Sequence, residues 1–530
     1  MNTSTNFKAW TSLLCFLLCT CMYAQTPEYV PDQFIIKMKP NKSMVDKLFL
    51  KNQMQATTRK VLPINGIEVW QIPDTDVSRN IEQVISEYRN HPDIEYIEPD
   101  YYLHLAAEAA DGQDATPSDP DFDQQWGLHN TGQNGGTPDA DINAPEAWDI
   151  ATGSPSVKAA VIDTGIDWKH PDLIDNIWQN LGEDLDGDGR VIEWNGSTWI
   201  FDPDDINDTD DDSNGYPDDF IGWNFVDNTK HVLDANGHGT HVAGIIGATG
   251  NNGTGISGVT WEVQLVPLRV FAGTSGSTSN VIAAMAYAVQ MGIPISNNSY
   301  EHLNYFTYSM ALRDALQAAE DNGHLFIAAA GNNSTDIDQN PNYPASFNNN
   351  NIHDFDNVIS VAAINRHDVL WANSNYGASS VSIGAPGDSI LSTYLSTGIG
   401  TNPASAYRYL SGTSMATPHV AGACALLMET YPDKSYSEIK DAILNTATVT
   451  PALTGKCTTN GRLNLYEAMN YLATLPPVSC RERDSLALVA LYEATDGANW
   501  TNAWDLGQPM DGWYGIQLDG SGCVSCIDMD

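Results

Sequence analysis

Short apolar runs alternate with segments of helical spacing through the middle of the chain. The apolar runs of strand length are residues 157–162, 263–271 and 325–330, and the helical segments are residues 281–291 and 310–322. Strands that alternate with helices are typical of a parallel sheet covered by helices on both faces. The pattern therefore predicts a doubly wound α/β domain over residues 119–473.

A different pattern precedes this domain. Three alternating runs predict strands and one segment has helical spacing, namely residues 33–39, 66–72 and 94–101, and residues 77–91. Together they predict a small α+β unit over residues 27–105. The stretch that follows, residues 106–118, contains Ala, Asp, Gly, Pro and Thr without periodicity and is typical of a cleavable linker.

The N-terminus carries a targeting pattern. Lys8 precedes an apolar stretch that ends at Ala24 and is too short to span a bilayer comfortably. It predicts a secretory signal peptide over residues 1–24, with a lipoprotein site at Cys21 as the alternative. We therefore expect a secreted, extracellular protein without a membrane span.

The charge of the chain is strongly acidic and unevenly placed. The net charge is −43, and nearly all of it lies after Asp100. Such a field disfavours nucleic acids and anionic membranes as partners, and it favours divalent cations. For most of these carboxylates a solvated surface remains the simpler interpretation.

Three short motifs carry candidate chemistry. Asp163 follows a buried strand, His238 lies in the motif His-Gly-Thr-His, and Ser414 lies in Gly-Thr-Ser-Met-Ala-Thr-Pro-His, where Pro418 predicts a helix start. A serine hydroxyl needs a base within hydrogen-bond reach, which an imidazole supplies near neutral pH. A carboxylate such as Asp163 would hold the imidazole in the required tautomer. Taken singly, each residue is equally well explained as a cap or turn residue.

In this order the motifs resemble those of the subtilisin family (subtilases), and the thermitase-like secreted members above all. The resemblance implies a catalytic Asp163, His238 and Ser414, with Asn332 as an oxyanion-hole donor beside the Ser414 N–H, and structural roles for His241 and His419. It also implies a serine endopeptidase that acts on protein or peptide substrates through an acyl-enzyme. Residues 27–105 resemble the subtilase propeptide, which serves the enzyme as chaperone and inhibitor and makes it a self-processed zymogen.

Residues 480–530 resemble the N-terminal cap of a leucine-rich-repeat domain. Because repeats need stacked neighbours to be stable, we expect the sequence to be a truncated fragment of a longer protein. The missing C-terminal region could then hold the protein at the cell surface. The alternative is a helix on a linker.

An acidic insert at residues 179–223 suggests structural calcium. Two motifs place oxygen ligands at positions 1, 3 and 5 of a calcium loop with glycine at position 6, namely Asp184, Asp186 and Asp188, and Asp210, Asp212 and Asn214. Neither motif has glutamate at position 12, so an EF-hand is not predicted, and an acidic loop without metal is the alternative.

The resemblance to the thermitase-like members of the family implies a further calcium site. Its ligands would be Asp119, Asp172, Asn252 and Thr254. The alternative is that these are turn and cap residues.

The chain departs from the family at the segment Ser299-Tyr300-Glu301, where Glu301 replaces a glycine that lines the first specificity pocket. If Glu301 points inward, we expect some preference for basic or polar residues in that pocket.

Two other functions stay open: an adhesion or binding protein with a vestigial protease domain, and a subtilase-fold peptide ligase.

Overall fold

The computed structural model describes residues 29–39, 42, 44–61, 67–72, 81–101, 115–301, 308–348, 355–396 and 406–476, and short stretches between residues 488 and 527. They form two compact units, one within residues 1–112 and one within residues 113–530. The predicted signal peptide and most of the predicted linker lie outside the described residues. Within the part described, no helix is both long and apolar enough to cross a membrane.

The N-terminal unit is a four-stranded antiparallel sheet with two helices. The strands are β1 (Tyr29–Met38), β2 (Thr57–Val61), β3 (Ile67–Gln71) and β4 (Ile94–Tyr101), in the order β2-β3-β1-β4, and the helices are α1 (Met44–Met54) and α2 (Ile81–Tyr88). Alternate residues of β1, such as Phe34 and Ile36, are buried with Trp70 of β3. This is the predicted α+β unit. The sequence pattern does not predict α1. Its apolar residues Leu48 and Phe49 are exposed, so the apolar positions do not follow the spacing of one buried helix face.

The second unit contains a nine-stranded sheet that is parallel except at one edge. The strands are β5 (Gly153–Asp163), β8 (Trp223–Asn224), β9 (Glu262–Arg269), β12 (Ile295–Asn298), β13 (Leu325–Ala329), β14 (Val358–Ile364), β15 (Ile383–Pro386), β18 (Thr448–Val449) and β19 (Gly461–Arg462). Their order is β18-β19-β15-β14-β13-β12-β5-β9-β8, and only β18 and β19 pair antiparallel. The predicted doubly wound α/β fold is confirmed.

Seven helices of this unit are described. They are α3 (Ala144–Trp148), α4 (His238–Gly247), α5 (Thr278–Gln290), α6 (Met310–Asp321), α7 (Thr413–Thr430), α8 (Tyr436–Asn445) and α9 (Leu465–Thr474). Helix α7 packs against α4 and against the central strands β5, β12, β13 and β14, and 14 of its 18 residues are buried. Small residues allow this, since a Cβ at Gly422 would lie 2.8 Å from the Cβ of Val259.

Short antiparallel pairs complete the unit. They are β6 (Ile192–Trp194) with β7 (Trp199–Phe201), β10 (Phe271–Ala272) with β11 (Ser275–Gly276), β16 (Ile390–Thr393) with β17 (Tyr407–Leu410), and β20 (Ile516–Leu518) with β21 (Val524–Ile527). The first pair lies in the acidic insert. Near the C-terminus five described residues form a small buried cluster, namely Leu488, Tyr492, Trp504, Trp513 and Ile516.

Candidate active site

Asp163 and His238 meet where strand β5 ends and helix α4 begins. Asp163 is the last residue of β5 and is 2% exposed, while His238 is the first residue of α4. The His238 Nδ1 atom lies 2.8 Å from Asp163 Oδ1 and 3.0 Å from Oδ2. Gly239 permits this contact, because a Cβ there would lie 2.1 Å from the carbonyl oxygen of Gly165.

The carboxylate changes the protonation of the histidine. Burial opposes a charge on the His238 imidazole, but the attraction and hydrogen bond of Asp163, helped by Asp234, outweigh it and raise the pKa of His238 above its usual value. Because Nδ1 faces the carboxylate, it carries the proton, and Nε2 of the neutral ring is left as the base.

Ser414 is the second residue of α7 and lines the same cleft as His238. Its Oγ donates to the carbonyl oxygen of Ser299 at 3.2 Å, and no hydrogen bond between Ser414 and His238 is found among the described residues. The hydroxyl must therefore turn from Ser299 to His238 before it can give up its proton, as is common in enzymes without bound substrate.

The helix start differs from the sequence prediction. Helix α7 begins at Thr413, and Pro418 lies inside it. Proline has no N–H to donate to the carbonyl of Ser414, four residues earlier. The Ser299 hydroxyl donates to that carbonyl at 2.9 Å instead. This replacement bond explains how the helix continues through Pro418 and places Ser414 in its first turn.

Asn332 follows β13 and also lines the cleft. Its side-chain oxygen accepts hydrogen bonds from the backbone N–H of Thr413 at 2.8 Å and from the Thr413 hydroxyl at 3.0 Å. Because the backbone N–H can only donate, these bonds identify the amide oxygen and leave the NH₂ group of Asn332 as a donor. That group and the Ser414 N–H at the helix start are suited to stabilising negative charge in the cleft.

His241 and His419 are buried away from this chemistry. Burial lowers the pKa of His241 to about 3 and that of His419 to about 4. His241 Nε2 contacts the carbonyls of Ile390 and Arg408, and His419 Nδ1 contacts the carbonyl of Met415. These contacts fit the structural roles expected for both residues.

Two family models match parts of this chain. A model of the subtilase family matches residues 154–469, more than half of the chain. The chain belongs to the subtilase family. A model of the fervidolysin N-terminal prodomain matches residues 22–100.

Several curated subtilases are similar. The thermophilic serine proteinase of Bacillus sp. strain AK1 is 33% identical over 432 residues, which cover 79% of this chain and 86% of that protein. Thermitase of Thermoactinomyces vulgaris is 35% identical over 358 residues, covering 67% and 100%. An extracellular protease of Xanthomonas campestris pv. campestris is 32% identical over 388 residues, covering 71% and 59%. With the prodomain match, these relatives identify this subtilase as a serine endopeptidase made as a zymogen.

The acidic insert of this subtilase forms two carboxylate clusters. The first contains Asp184, Asp186 and Asp205, with carboxylate oxygens within 4.8 Å of one another. Asp205 is fully buried, its Oδ1 accepts the backbone N–H of Leu185 at 2.8 Å, and its Oδ2 has no hydrogen-bond partner. Burial raises the pKa of Asp205. An unpaired buried carboxylate oxygen beside two further carboxylates fits a bound cation.

The second cluster contains Glu183, Asp212 and Asp219. Burial raises the pKa of Glu183 and of Asp219 to about 7 in each case. Asp219 accepts hydrogen bonds from Asn214 at 3.0 Å and from the Tyr287 hydroxyl. Since amide and hydroxyl donors already occupy these oxygens, the second cluster fits a cation less well than the first.

The predicted insert ligands divide between these clusters and the loop itself. Asp184, Asp186 and Asp212 belong to the clusters. Asp188 pairs with Arg190 at 2.8 Å, and Asp210 accepts the backbone N–H of Asn214 at 2.9 Å. Sequence analysis missed three cluster members, Glu183, Asp205 and Asp219. The signal for Asp205 and Asp219 was a pair of consecutive acidic residues, but nothing local shows that they turn inward.

The four residues predicted to form the further calcium site also lie together. Asp119 accepts backbone N–H groups of the loop that contains Asn252, at 3.1 Å for Asn252 itself, and the Asn252 side chain donates to Asp172 at 2.9 Å. Thr254 contributes its backbone N–H to the Asn252 oxygen at 2.7 Å. Burial, with repulsion from Asp119, raises the pKa of Asp172 to about 7. A cation would relieve that repulsion.

Proposed function

We propose that Asp163, His238 and Ser414 form the catalytic triad of this serine endopeptidase. The single observation that carries the proposal is the paired contact of His238 Nδ1 with the buried Asp163 carboxylate, at 2.8 and 3.0 Å. His238 Nε2 takes the proton of Ser414 Oγ as the oxygen attacks the peptide carbonyl. The Asn332 side chain and the Ser414 N–H stabilise the oxyanion.

The reaction then proceeds through an acyl-enzyme. The protonated His238 gives its proton to the leaving amine as the peptide bond breaks. Water next attacks the ester, with His238 again acting as base, and the carboxylic acid product and the free Ser414 hydroxyl are restored.

Casein hydrolysis by the wild type and by Ser414→Ala tests the assignment. We expect hydrolysis by the wild type and its loss in the variant. Equal, undetectable activity in both would support a vestigial protease domain, and ligated products would support a peptide ligase. A protein without residues 480–530 should keep its activity, because all four proposed catalytic groups precede that segment.

We also propose that residues 27–105 inhibit the enzyme until self-cleavage between Leu103 and Ser118, and that residues 1–24 direct secretion. The prodomain match and the extracellular relative support these roles. N-terminal sequencing of the secreted product tests them. The wild type should begin between these two positions and Ser414→Ala should not, whereas an active product that begins near Gln25 would contradict self-cleavage.

We propose two structural features in addition. One is a structural calcium ion in the acidic insert, and the other is the beginning of a leucine-rich-repeat domain at residues 480–530. The unpaired Asp205 oxygen supports a calcium ion held with Asp184 and Asp186. The stacked Tyr492, Trp504 and Trp513 rings support a folded C-terminal segment. Deletion of residues 480–530 should leave the melting temperature of the catalytic domain unchanged if the segment is a separate unit.

A further inference from the structure

Glu301 contacts the loop that carries Asn332. Its Oε1 accepts the backbone N–H of Asn332 at 3.2 Å, and its Oε2 accepts the side-chain amide of Asn333 at 3.3 Å. The side-chain amide of buried Asn342 also donates to Oε2. Hydrogen bonds to a charged acceptor are stronger than neutral ones, so three amides hold this carboxylate in place.

Gly331 lets the carboxylate come this close. Its φ is +104°, a left-handed conformation that favours glycine, and a Cβ there would lie 2.2 Å from Glu301 Oε2. Asn375, from a later part of the chain, binds the same loop. Its side chain accepts the backbone N–H of Asn333 at 3.0 Å and donates to the carbonyl of Ala330 at 2.9 Å. The segment around Asn332 is thus held by Glu301 and Asn375 through its backbone.

This arrangement gives Glu301 a different role from the one expected from the sequence. The side chain is at the cleft, but both of its carboxylate oxygens are already bonded to amides of the protein. Three of the roughly four lone-pair positions of the carboxylate are taken by these donors, so about one is left for a basic side chain of the substrate. The carboxylate is therefore better suited to fixing the loop than to selecting a cationic residue.

We propose that Glu301 is a positioning residue that sets the direction of the Asn332 side chain toward the oxyanion. The inference rests on the proposed role of Asn332 as an oxyanion donor. Stabilisation of an oxyanion depends on donor placement within a few tenths of an ångström, and a shift of about 1 Å can cost about 10²-fold in rate. An acceptor on the backbone N–H of the donor residue itself controls that placement directly.

Glu301→Gln tests the proposal with little change in size. The glutamine offers one oxygen and one NH₂ group where the carboxylate offers two acceptors, so an NH₂ group must face either the Asn332 N–H or the amides of Asn333 and Asn342. On peptides with Leu or Lys before the scissile bond, we expect kcat to fall about tenfold for both, with KM nearly unchanged. Glu262→Gln, at an exposed position remote from the cleft, is the matched control and should keep full activity.

A double variant separates positioning from a general loss of structure. Loss of the oxyanion asparagine in subtilisin itself costs about 10²–10³ in kcat, and we expect a similar loss for Asn332→Ala here. Glu301→Gln should then add no further loss in the Asn332→Ala background, because no donor is left to position. An additional tenfold loss in that background would overturn the proposal.

The remaining outcomes are also decisive. A loss confined to the Lys peptide, and expressed in KM, would show that Glu301 selects substrate instead. Unchanged kcat in Glu301→Gln together with a large loss in Asn332→Ala would refute this inference alone, whereas unchanged kcat in Asn332→Ala would refute the proposed oxyanion role. If Glu301→Gln does not fold, Glu301→Asp carries the same measurements, since it keeps the charge but shortens the reach.

Discussion

The side-chain oxygen of Asn332 accepts two hydrogen bonds from Thr413, at 2.8 Å from its backbone N–H and 3.0 Å from its hydroxyl. Thr413 directly precedes Ser414, so the candidate oxyanion donor and the candidate nucleophile are joined through one residue. The same hydroxyl accepts the backbone N–H of Gly331 at 3.1 Å. The loop after β13 and the start of α7 are therefore joined by three hydrogen bonds.

Thr413→Val should lower kcat by more than a loss of folding stability alone would cause. The change removes the hydroxyl that joins Gly331 and Asn332, so we expect kcat to fall several-fold to about tenfold while KM changes little. Thr417→Val is the control, because its hydroxyl bonds the Thr413 carbonyl at 2.8 Å one helical turn further along. It should lower the melting temperature with kcat preserved. Similar kcat values for both variants would argue against this link.

Asp163→Asn should change both the rate and its pH dependence. Asparagine can donate to Nδ1 and favour the wrong tautomer, and the same change in a Ser-His-Asp protease of another fold costs about 10⁴ in kcat. Because Asp163 raises the pKa of His238, its loss lowers that pKa, and the neutral base persists to lower pH. The acid limb of kcat/KM should therefore move to lower pH in Asp163→Asn. A limb that stays in place would mean that His238 is not the titrating base.

Gly239→Ala should separate His238 from Asp163. The new methyl group would lie 2.1 Å from the Gly165 carbonyl oxygen and 3.1 Å from Asp163 Cβ, so the start of α4 must shift. We expect a loss of about 1–3 kcal/mol in stability and at least a tenfold loss in kcat. Gly247→Ala overpacks the other end of the same helix against Val263 and should cost stability alone. Activity and melting temperature are measured on both variants. An equal loss of kcat in the two would contradict a specific effect on the contact between His238 and Asp163.

If calcium binds beside Asp205, Asp205→Asn should change the melting temperature in opposite directions with calcium and without it. In the Ser414→Ala background, excess EGTA should lower the melting temperature by several degrees, since a ligand at 100 times its Kd contributes about 2.7 kcal/mol. Asp205→Asn should reduce that drop, yet it should raise the melting temperature in EGTA by removing an unpaired buried charge. Asp204→Asn, at the exposed neighbouring position, should do neither. A melting temperature unaffected by EGTA would exclude structural calcium.

Much of the fold could be predicted because the strands that carry the site are short, continuous apolar runs. The run that ends at Asp163 and the run before Asn332 are buried throughout their apolar parts, as strands of a parallel sheet are. Their C-terminal ends could be placed within one residue, whereas β5 begins at Gly153, four residues before the predicted run. The three motifs could likewise be assigned roles, because nucleophile, base and carboxylate are chemically distinct.

Other features depend on contacts between distant residues that no local pattern shows. Pro418 predicts a helix start from its own chemistry, but the Ser299 hydroxyl, 115 residues before Ser414, lets the helix begin earlier. Asp205 resembles many acidic residues of the insert, and what distinguishes it is a buried Oδ2 without a hydrogen-bond partner beside an Oδ1 that accepts the Leu185 amide. From the sequence, Glu301 contacts substrate if it points inward, and its bonds to Asn332 and Asn342 become visible only when the loops are brought together.

The burial of α7 has a consequence for timing. Ser414 lies in the last quarter of the chain, and its helix packs beneath four central strands that are all synthesised earlier. A growing chain therefore carries Asp163 and His238 for much of its synthesis without a nucleophile beside them. With Ser414 as the proposed nucleophile, hydrolysis could begin only after α7 has entered the core, so the proposed self-cleavage would report that this helix has joined the central sheet.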